Sequence, residues 1–293
     1  MRAPETDEEW WTHALNIEGL FLERWVEDRV RRSENWGVVA TNLPVAFESE
    51  LGHQMSELDV LAERGGTTVR LTLPIECKKN NPDFIEWVFF AKGYDYPMGA
   101  VRHDRRDHPA NPGTHTIGQI TARLNVDAPM TQNARELRGG YRDYKKWDKT
   151  KTANEAIASA ARQVALAHQA LVRGDLSFAS GGASSTRMDT RIFLPVIVTT
   201  ARISTTVIDP NAVDSETGEI PLGSMKFEPR TAVIFEYPLP PQLQFSRALV
   251  GADGEIGEGN RLDIVVVHSA NFPEFLNQLS FGLQTKTLIV QRG

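Results

Sequence analysis

One cysteine, Cys77, is all the thiol chemistry this chain of 293 residues has. A single thiol closes no intramolecular disulfide, which points to a reducing compartment. Its place inside an apolar run suits a buried core thiol better than a nucleophile. Long hydrophobic runs are missing too, and the opening "MRAPETDEEWW" has neither a basic nor an apolar stretch. Neither a membrane span nor a secretion signal is therefore expected, and the reading is cytoplasmic. No G-x-S-x-G elbow and no G-x-x-x-x-G-K-[ST] loop occurs, so the signatures of serine hydrolases and P-loop NTPases are absent. An excess of positive charge is also lacking: 32 Lys and Arg stand against 38 Asp and Glu, a net charge of -6. That excludes a surface that clings to nucleic acid everywhere and leaves room for a local basic groove.

What is present is an alternation of helical and extended patterns without internal repeats. Leu15, Leu22, Val26 and Val30 lie close to a helical stripe, which predicts one long first helix over residues 7 to 32 with Asp7 as N-cap. "WGVVATNLPVAFE" reads as a strand, and residues 56 to 79 as a hairpin around "ERGG", whose glycines tolerate positive φ. Ile85 to Phe90 reads as a further strand. Residues 93 to 150 show little periodicity and are expected to be irregular, with one short helix. Ile157, Ala161, Val164, His168 and Leu171 mark a helix with an Ala-rich face. The apolar stretch "RIFLPVIVTTARI" predicts one continuous strand covered on both faces, followed by strands in "RTAVIFEY" and "RLDIVVVHS", a late helix in "NFPEFLNQLSF" and a strand in "TKTLIVQ". One elaborated α/β domain over residues 1 to 293 is the expected architecture.

The hairpin carries the unusual feature. In "SELDVLAERGGTTVRLTLPIECKK" the charges Glu57, Asp59, Glu76 and Lys78 interrupt two apolar strands. Strict alternation places Glu57 with Asp59 and Glu76 with Lys78, and sends Leu58, Val60, Ile75 and Cys77 the other way. As solvated cross-strand ion pairs these charges would contribute on the order of 0.2 to 1 kcal/mol each. Three carboxylates to one ammonium is a poor balance for that, because clustered like charges repel unless a cation joins them. Hard carboxylate oxygens from Asp59 and Glu76, with the Cys77 backbone carbonyl, suit Mg²⁺ or Mn²⁺ at a phosphodiester. Lys78 then orients a water or neutralises phosphate charge.

"SELDVLA…LPIECKK" resembles the core motif of the PD-(D/E)XK nuclease superfamily. The resemblance covers residues 15 to 90 and implies a restriction-endonuclease-like mixed central sheet flanked by helices, here with additional C-terminal strands. It makes Asp59 and Glu76 metal ligands and Lys78 the catalytic lysine. "GLFLERWVEDRV" is similar to the family's acidic first helix, with Glu23 the matching acid and Glu27 the poorer choice. Leu58 stands where the family name has proline. Gln163, in the central helix, lacks the tyrosine four residues on that RecB-like members carry; position 167 is alanine. The implied activity is Mg²⁺- or Mn²⁺-dependent cleavage of DNA in prokaryotic restriction, repair or anti-phage defence, by a homodimer or a subunit of a defence complex. A non-catalytic nucleic-acid-binding or scaffold subunit, or a nuclease acting on RNA, are the alternatives.

Substrate contact is expected from Lys79 and from the most basic segment, "RELRGGYRDYKKWDKTK", through Arg138, Arg142, Lys145 and Lys146. A soluble linker is the competing reading of that segment. His103, His108 and His115 match no compact zinc spacing and read as a charged loop with phosphate-contacting arginines as the alternative. His168 falls on the apolar helix stripe as a core histidine. Glu57 is either a further ligand or the rim of the site.

Overall fold

The computed structural model describes residues 6–49, 52–65, 69–80, 86–92, 98–108, 111–124, 126–137, 155–173, 188–221, 223–243, 261–279, 281–284 and 290–291. The first helical stretch is two helices, α1 (Asp7–Glu18) and α2 (Leu20–Arg32), and the expected single helix is broken at Gly19, whose φ of 85° is left-handed. Thr6, rather than Asp7, is the N-cap: its side-chain oxygen accepts from the Glu9 N–H at 3.1 Å and its own N–H donates to the Glu9 carboxylate. Leu22, Val26 and Val30, spaced by one turn, form the buried stripe of α2.

Strands β1 (Trp36–Ser49), β2 (Gly52–Gly65) and β3 (Val69–Lys78) follow as an antiparallel meander, as the hairpin pattern predicts. Gly65, at φ 140°, has no room for a side chain, since a Cβ there would lie 2.3 Å from the Val69 carbonyl. After β4 (Glu86–Ala91) come β5 (Met98–His108), β6 (Asn111–Leu124) and β7 (Met130–Leu137). The expectation of irregular structure over residues 93 to 150 is thus corrected where residues are described, and its part over 138–150 lies outside the described residues. These strands are rich in polar residues and take their order from pairing: β5 with β6 and with the later strand Met188–Phe193, and β7 with β4 and with the later strand Ala232–Pro238.

Helix α3 (Glu155–Arg173) is followed by β8 (Met188–Phe193), β9 (Val196–Thr199) and β10 (Arg202–Thr206). The stretch read as one strand is therefore three. Pro195 has no N–H to give a ladder, and the chain steps there from one set of neighbours to another. β8 runs parallel to β3 at Val69 to Thr72 and pairs outward with β5, whereas β9 runs parallel to β3 at Ile75 to Lys78 and pairs outward with β13. The remaining elements are β11 (Glu228–Arg230), β12 (Ala232–Pro238), β13 (Arg261–His268), α4 (Phe272–Gln278), β14 (Phe281–Gln284) and β15 (Val290–Gln291). Together the strands make a large, mostly antiparallel sheet in a mixed α/β arrangement, with β3 near its middle.

The two faces of the sheet bury separate cores. α3 covers one, against residues such as Leu58, Leu61, Phe193, Ile197 and Val266. α2 and α4 lie over the other, against Val60, Leu73, Ile75, Cys77 and Val198. From Val164 to Val172 every residue of α3 is buried, so this helix is enclosed rather than merely amphipathic. No described helix is long and apolar enough to cross a membrane.

Candidate functional site

Strict alternation fails at one point, and that point is Asp59. Leu58 enters the α3 core and Val60 the α2 core, so the two do not share a face as expected. Across from Asp59, between the paired positions Thr41 and Leu43 of β1, stands Asn42 at φ 49°. Asn tolerates this left-handed conformation better than most residues, and a single such residue twists the strand pair. The β2–β3 ladder ends next to it, at Val60 opposite Ile75. Beyond it the Asp59 carboxylate takes over from the backbone, its Oδ2 accepting from the Cys77 N–H at 2.6 Å. β3 continues through Glu76, Cys77 and Lys78 with its other edge held by β9.

This fork gathers the charges. Glu76 is only 3% exposed, and its Oε2 is buried with no hydrogen-bond partner. Burial first, then the Asp59 charge, pushes its carboxyl up to about 9, with Glu23 and Glu57 adding to the rise and Lys78 opposing it. Asp59, half-buried, is pushed up to about 7 by burial against the pull of the Cys77 N–H; Glu23 and Glu57 raise it and Lys78 lowers it. Glu23, half-buried on α2, is raised by burial and by Glu57, and lowered by Arg24 and Lys78. The charges of Glu23, Glu57 and Lys78 thus bear on both Asp59 and Glu76. Glu57 is exposed and sits at the rim. Glu27 is elsewhere: Arg24 and Arg31 hold it on the helix surface at 2.8 Å each.

Cys77 is a core thiol, raised well above its ordinary range by burial and by Asp59 and Glu76. Lys79 packs beside the hinge between α1 and α2, where a Cβ on Gly19 would lie 3.7 Å from its own. Gln163 is half-buried and accepts a hydrogen bond from Ser159, one turn back in α3, at 3.2 Å. His168 is fully buried with neither ring nitrogen hydrogen-bonded, edge-on to Phe193, and burial pushes it down to about 3. Arg138, Arg142, Lys145 and Lys146 lie outside the described residues, and nothing is described of the side chains of His103, His108 and His115.

The sequence reading passed over Asn80. Its N–H donates to the Thr200 hydroxyl at 2.8 Å, and its side-chain Oδ1 is buried without a partner two residues past Lys78. No motif marks it; only the adjacency in "ECKKNN" hints at it.

The donor set fits a hard divalent cation: clustered carboxylates, three of them with raised protonation, and an orphaned buried oxygen on Glu76. Among the described residues, no three His, Cys, Asp or Glu side chains are already placed to hold a metal ion. Asp59 Oδ2 is engaged with the Cys77 N–H. No family model, curated protein or solved structure matches this chain.

Proposed function

We propose that the chain is a metal-dependent nuclease hydrolysing phosphodiester bonds of DNA, on a restriction-endonuclease-like core, in restriction, repair or anti-phage defence. The observation that carries this reading is the buried, unpartnered Glu76 oxygen where β2 leaves β3, with Asp59, Glu23 and Lys78 near enough for their charges to bear on Glu76. The order of elements supports it: an acidic helix, a three-stranded meander, the enclosed helix α3 and strand β9 parallel to β3.

Asp59, Glu76 and the Cys77 carbonyl, with Glu23, would hold Mg²⁺ or Mn²⁺. When bound, such an ion polarises the phosphoryl oxygen and acidifies a water. The chain's own contributions are separate. The Cys77 N–H fixes the orientation of Asp59. Lys78, two residues past Glu76 on the same strand, positions the attacking water and neutralises charge developing on the phosphate. The low exposure of Glu76 keeps bulk water from screening these interactions.

The test is cleavage of plasmid, single-stranded DNA and RNA by the purified chain with Mg²⁺, Mn²⁺ or EDTA, beside Asp59→Ala and Lys78→Ala. The expected outcome is metal-dependent DNA cleavage that falls about a hundredfold or more in either variant. Binding without cleavage, or equal cleavage by the variants, overturns the catalytic reading. Cleavage of RNA alone overturns the choice of DNA.

A further inference from the structure

The chain just past β3 carries a second orphaned oxygen. Asn80 is half-buried, and its side-chain Oδ1 is shut away from solvent without a hydrogen-bond partner, as is Oε2 of Glu76. A buried acceptor left without a donor is uncommon in folded proteins and calls for an explanation. In sequence these two residues flank Lys78 at equal spacing, one two positions before it and the other two after.

The backbone fixes where Asn80 stands. β3 ends at Lys78, but its pairing with β9 runs on through Thr200, the residue after β9. The Thr200 N–H donates to the Lys78 carbonyl at 3.4 Å, and the Asn80 N–H donates to the Thr200 hydroxyl at 2.8 Å, where a parallel ladder would have used a carbonyl. Alternation therefore extends past the strand. Ile75 and Cys77 enter the α2 core and Lys79 packs beside Gly19, so Glu76, Lys78 and Asn80 take the opposite face. Successive members of this row are about 7 Å apart along the chain, a span that the four-carbon stem of lysine can bridge.

A lysine ammonium brings three donors and no acceptor. Here it bonds neither Glu76 Oε2 nor Asn80 Oδ1, although its charge bears on Glu76. With a divalent cation on Asp59 and Glu76, like charge would drive the ammonium away from Glu76, and the acceptor on its other side is the Asn80 carboxamide. A carboxamide is neutral. It takes a hydrogen bond without cancelling the ammonium charge and, unlike another acid, does not compete for the cation. We propose that Asn80 is the positioning residue for Lys78: once Asp59 and Glu76 hold a divalent cation, the ammonium turns from Glu76 to the Asn80 carboxamide oxygen. The inference rests on the nuclease reading for what Lys78 is positioned to do. Thr200 sets the place of Asn80 through its hydroxyl and N–H.

The test joins Mg²⁺ titration by calorimetry, without nucleic acid, to plasmid cleavage. It is run on the wild type, Asn80→Ala, Lys78→Ala, the double variant and Asn80→Asp. Thermal melts in EDTA check folding; Thr200→Val, which removes the hydroxyl holding the Asn80 N–H, replaces Asn80→Ala if that variant does not fold. Asn80→Ala is expected to weaken Mg²⁺ binding roughly threefold or more, because the unseated ammonium stays near the cation. Lys78→Ala should tighten it, and adding Asn80→Ala to Lys78→Ala should change nothing further. In cleavage, Asn80→Ala should lower kcat about tenfold with KM unchanged, the loss of one hydrogen bond to a charged group, and should have no effect in the Lys78→Ala background. Asn80→Asp, which keeps an oxygen in place, should recover most of that kcat. Equal weakening of Mg²⁺ binding with and without Lys78 makes Asn80 a metal contact and overturns the proposal, as do unchanged binding and cleavage in folded Asn80→Ala. Cleavage with independent effects of Asn80 and Lys78 overturns the positioning role alone. Mg²⁺ binding with the expected dependence on Lys78, but no cleavage by the wild type, overturns the nuclease reading and leaves the Asn80 contact standing. No Mg²⁺ binding by the wild type overturns both.

Discussion

Glu76 and Asp59 stand side by side in a setting that favours their neutral forms, pushed up to about 9 and about 7 respectively. In the unfolded chain both are ionised above about pH 4. Over the interval between the unfolded and folded values the folded state binds the extra proton, so stability falls as pH rises, by about 1.4 kcal/mol per pH unit for each group in its window. Glu76→Gln removes the wider window. The drop in melting temperature between pH 5 and pH 9 in EDTA should shrink in this variant, and metal-dependent cleavage should vanish with it. A variant whose melting curve keeps the full wild-type pH slope would show that Glu76 carries no such penalty. Lys78→Ala acts in the opposite sense. The ammonium lowers Glu23, Asp59 and Glu76 together, so its loss should raise all three and extend the fall in stability to higher pH.

The elements that carry the site depend on two glycines. Gly65→Ala would press a Cβ to 2.3 Å from the Val69 carbonyl at a φ that alanine rarely adopts, which costs on the order of 1–3 kcal/mol and strains the β2–β3 register. Chemical denaturation should show that loss, with cleavage falling in the same preparation. Gly19→Ala should cost less, since its φ of 85° is the main obstacle and the nearest side chain, Lys79, is at ordinary contact distance. The hairpin was legible because "ERGG" is punctuation with a physical meaning and because β-branched and apolar residues flank it. The charges of the acidic fork stand out in the sequence because charges inside apolar strands are costly without a purpose. Three features were not. The break at Gly19 sits inside a stripe, Leu15 to Val30, that continues on both sides of it. The strands β5, β6 and β7 have no alternation of their own and exist through their partners. The switch of faces at Asp59 needs Asn42, seventeen residues earlier, and strand pairing is what brings the two opposite.

At the scale of the whole molecule two buried groups pull the pH dependence in opposite directions. His168 sits in the α3 core, neutral, and is pushed down to about 3, against about 6.5 in the unfolded chain. Between those values the unfolded state binds the extra proton, so stability falls as pH drops below about 6.5, by about 1.4 kcal/mol per unit. The acidic fork does the reverse, through Asp59 from about 4 to 7 and Glu76 from about 4.5 to 9. Where the windows overlap two acids outweigh one imidazole, and from these groups the metal-free protein should melt higher near pH 5 than near pH 8. On the proposed reading a divalent cation would bind the ionised carboxylates of the folded state alone, and so would stabilise by mass action and most strongly at alkaline pH. Mg²⁺ or Mn²⁺ should therefore raise the melting temperature at pH 8 far more than at pH 5, and Asp59→Ala should abolish the difference. His168→Gln should leave that metal response intact while flattening the acid side, because His168 is not among the charges that shift Asp59 or Glu76. Equal metal-induced shifts at the two pH values would place the cation away from the protonated acids and sink the assignment of Asp59 and Glu76 as its ligands.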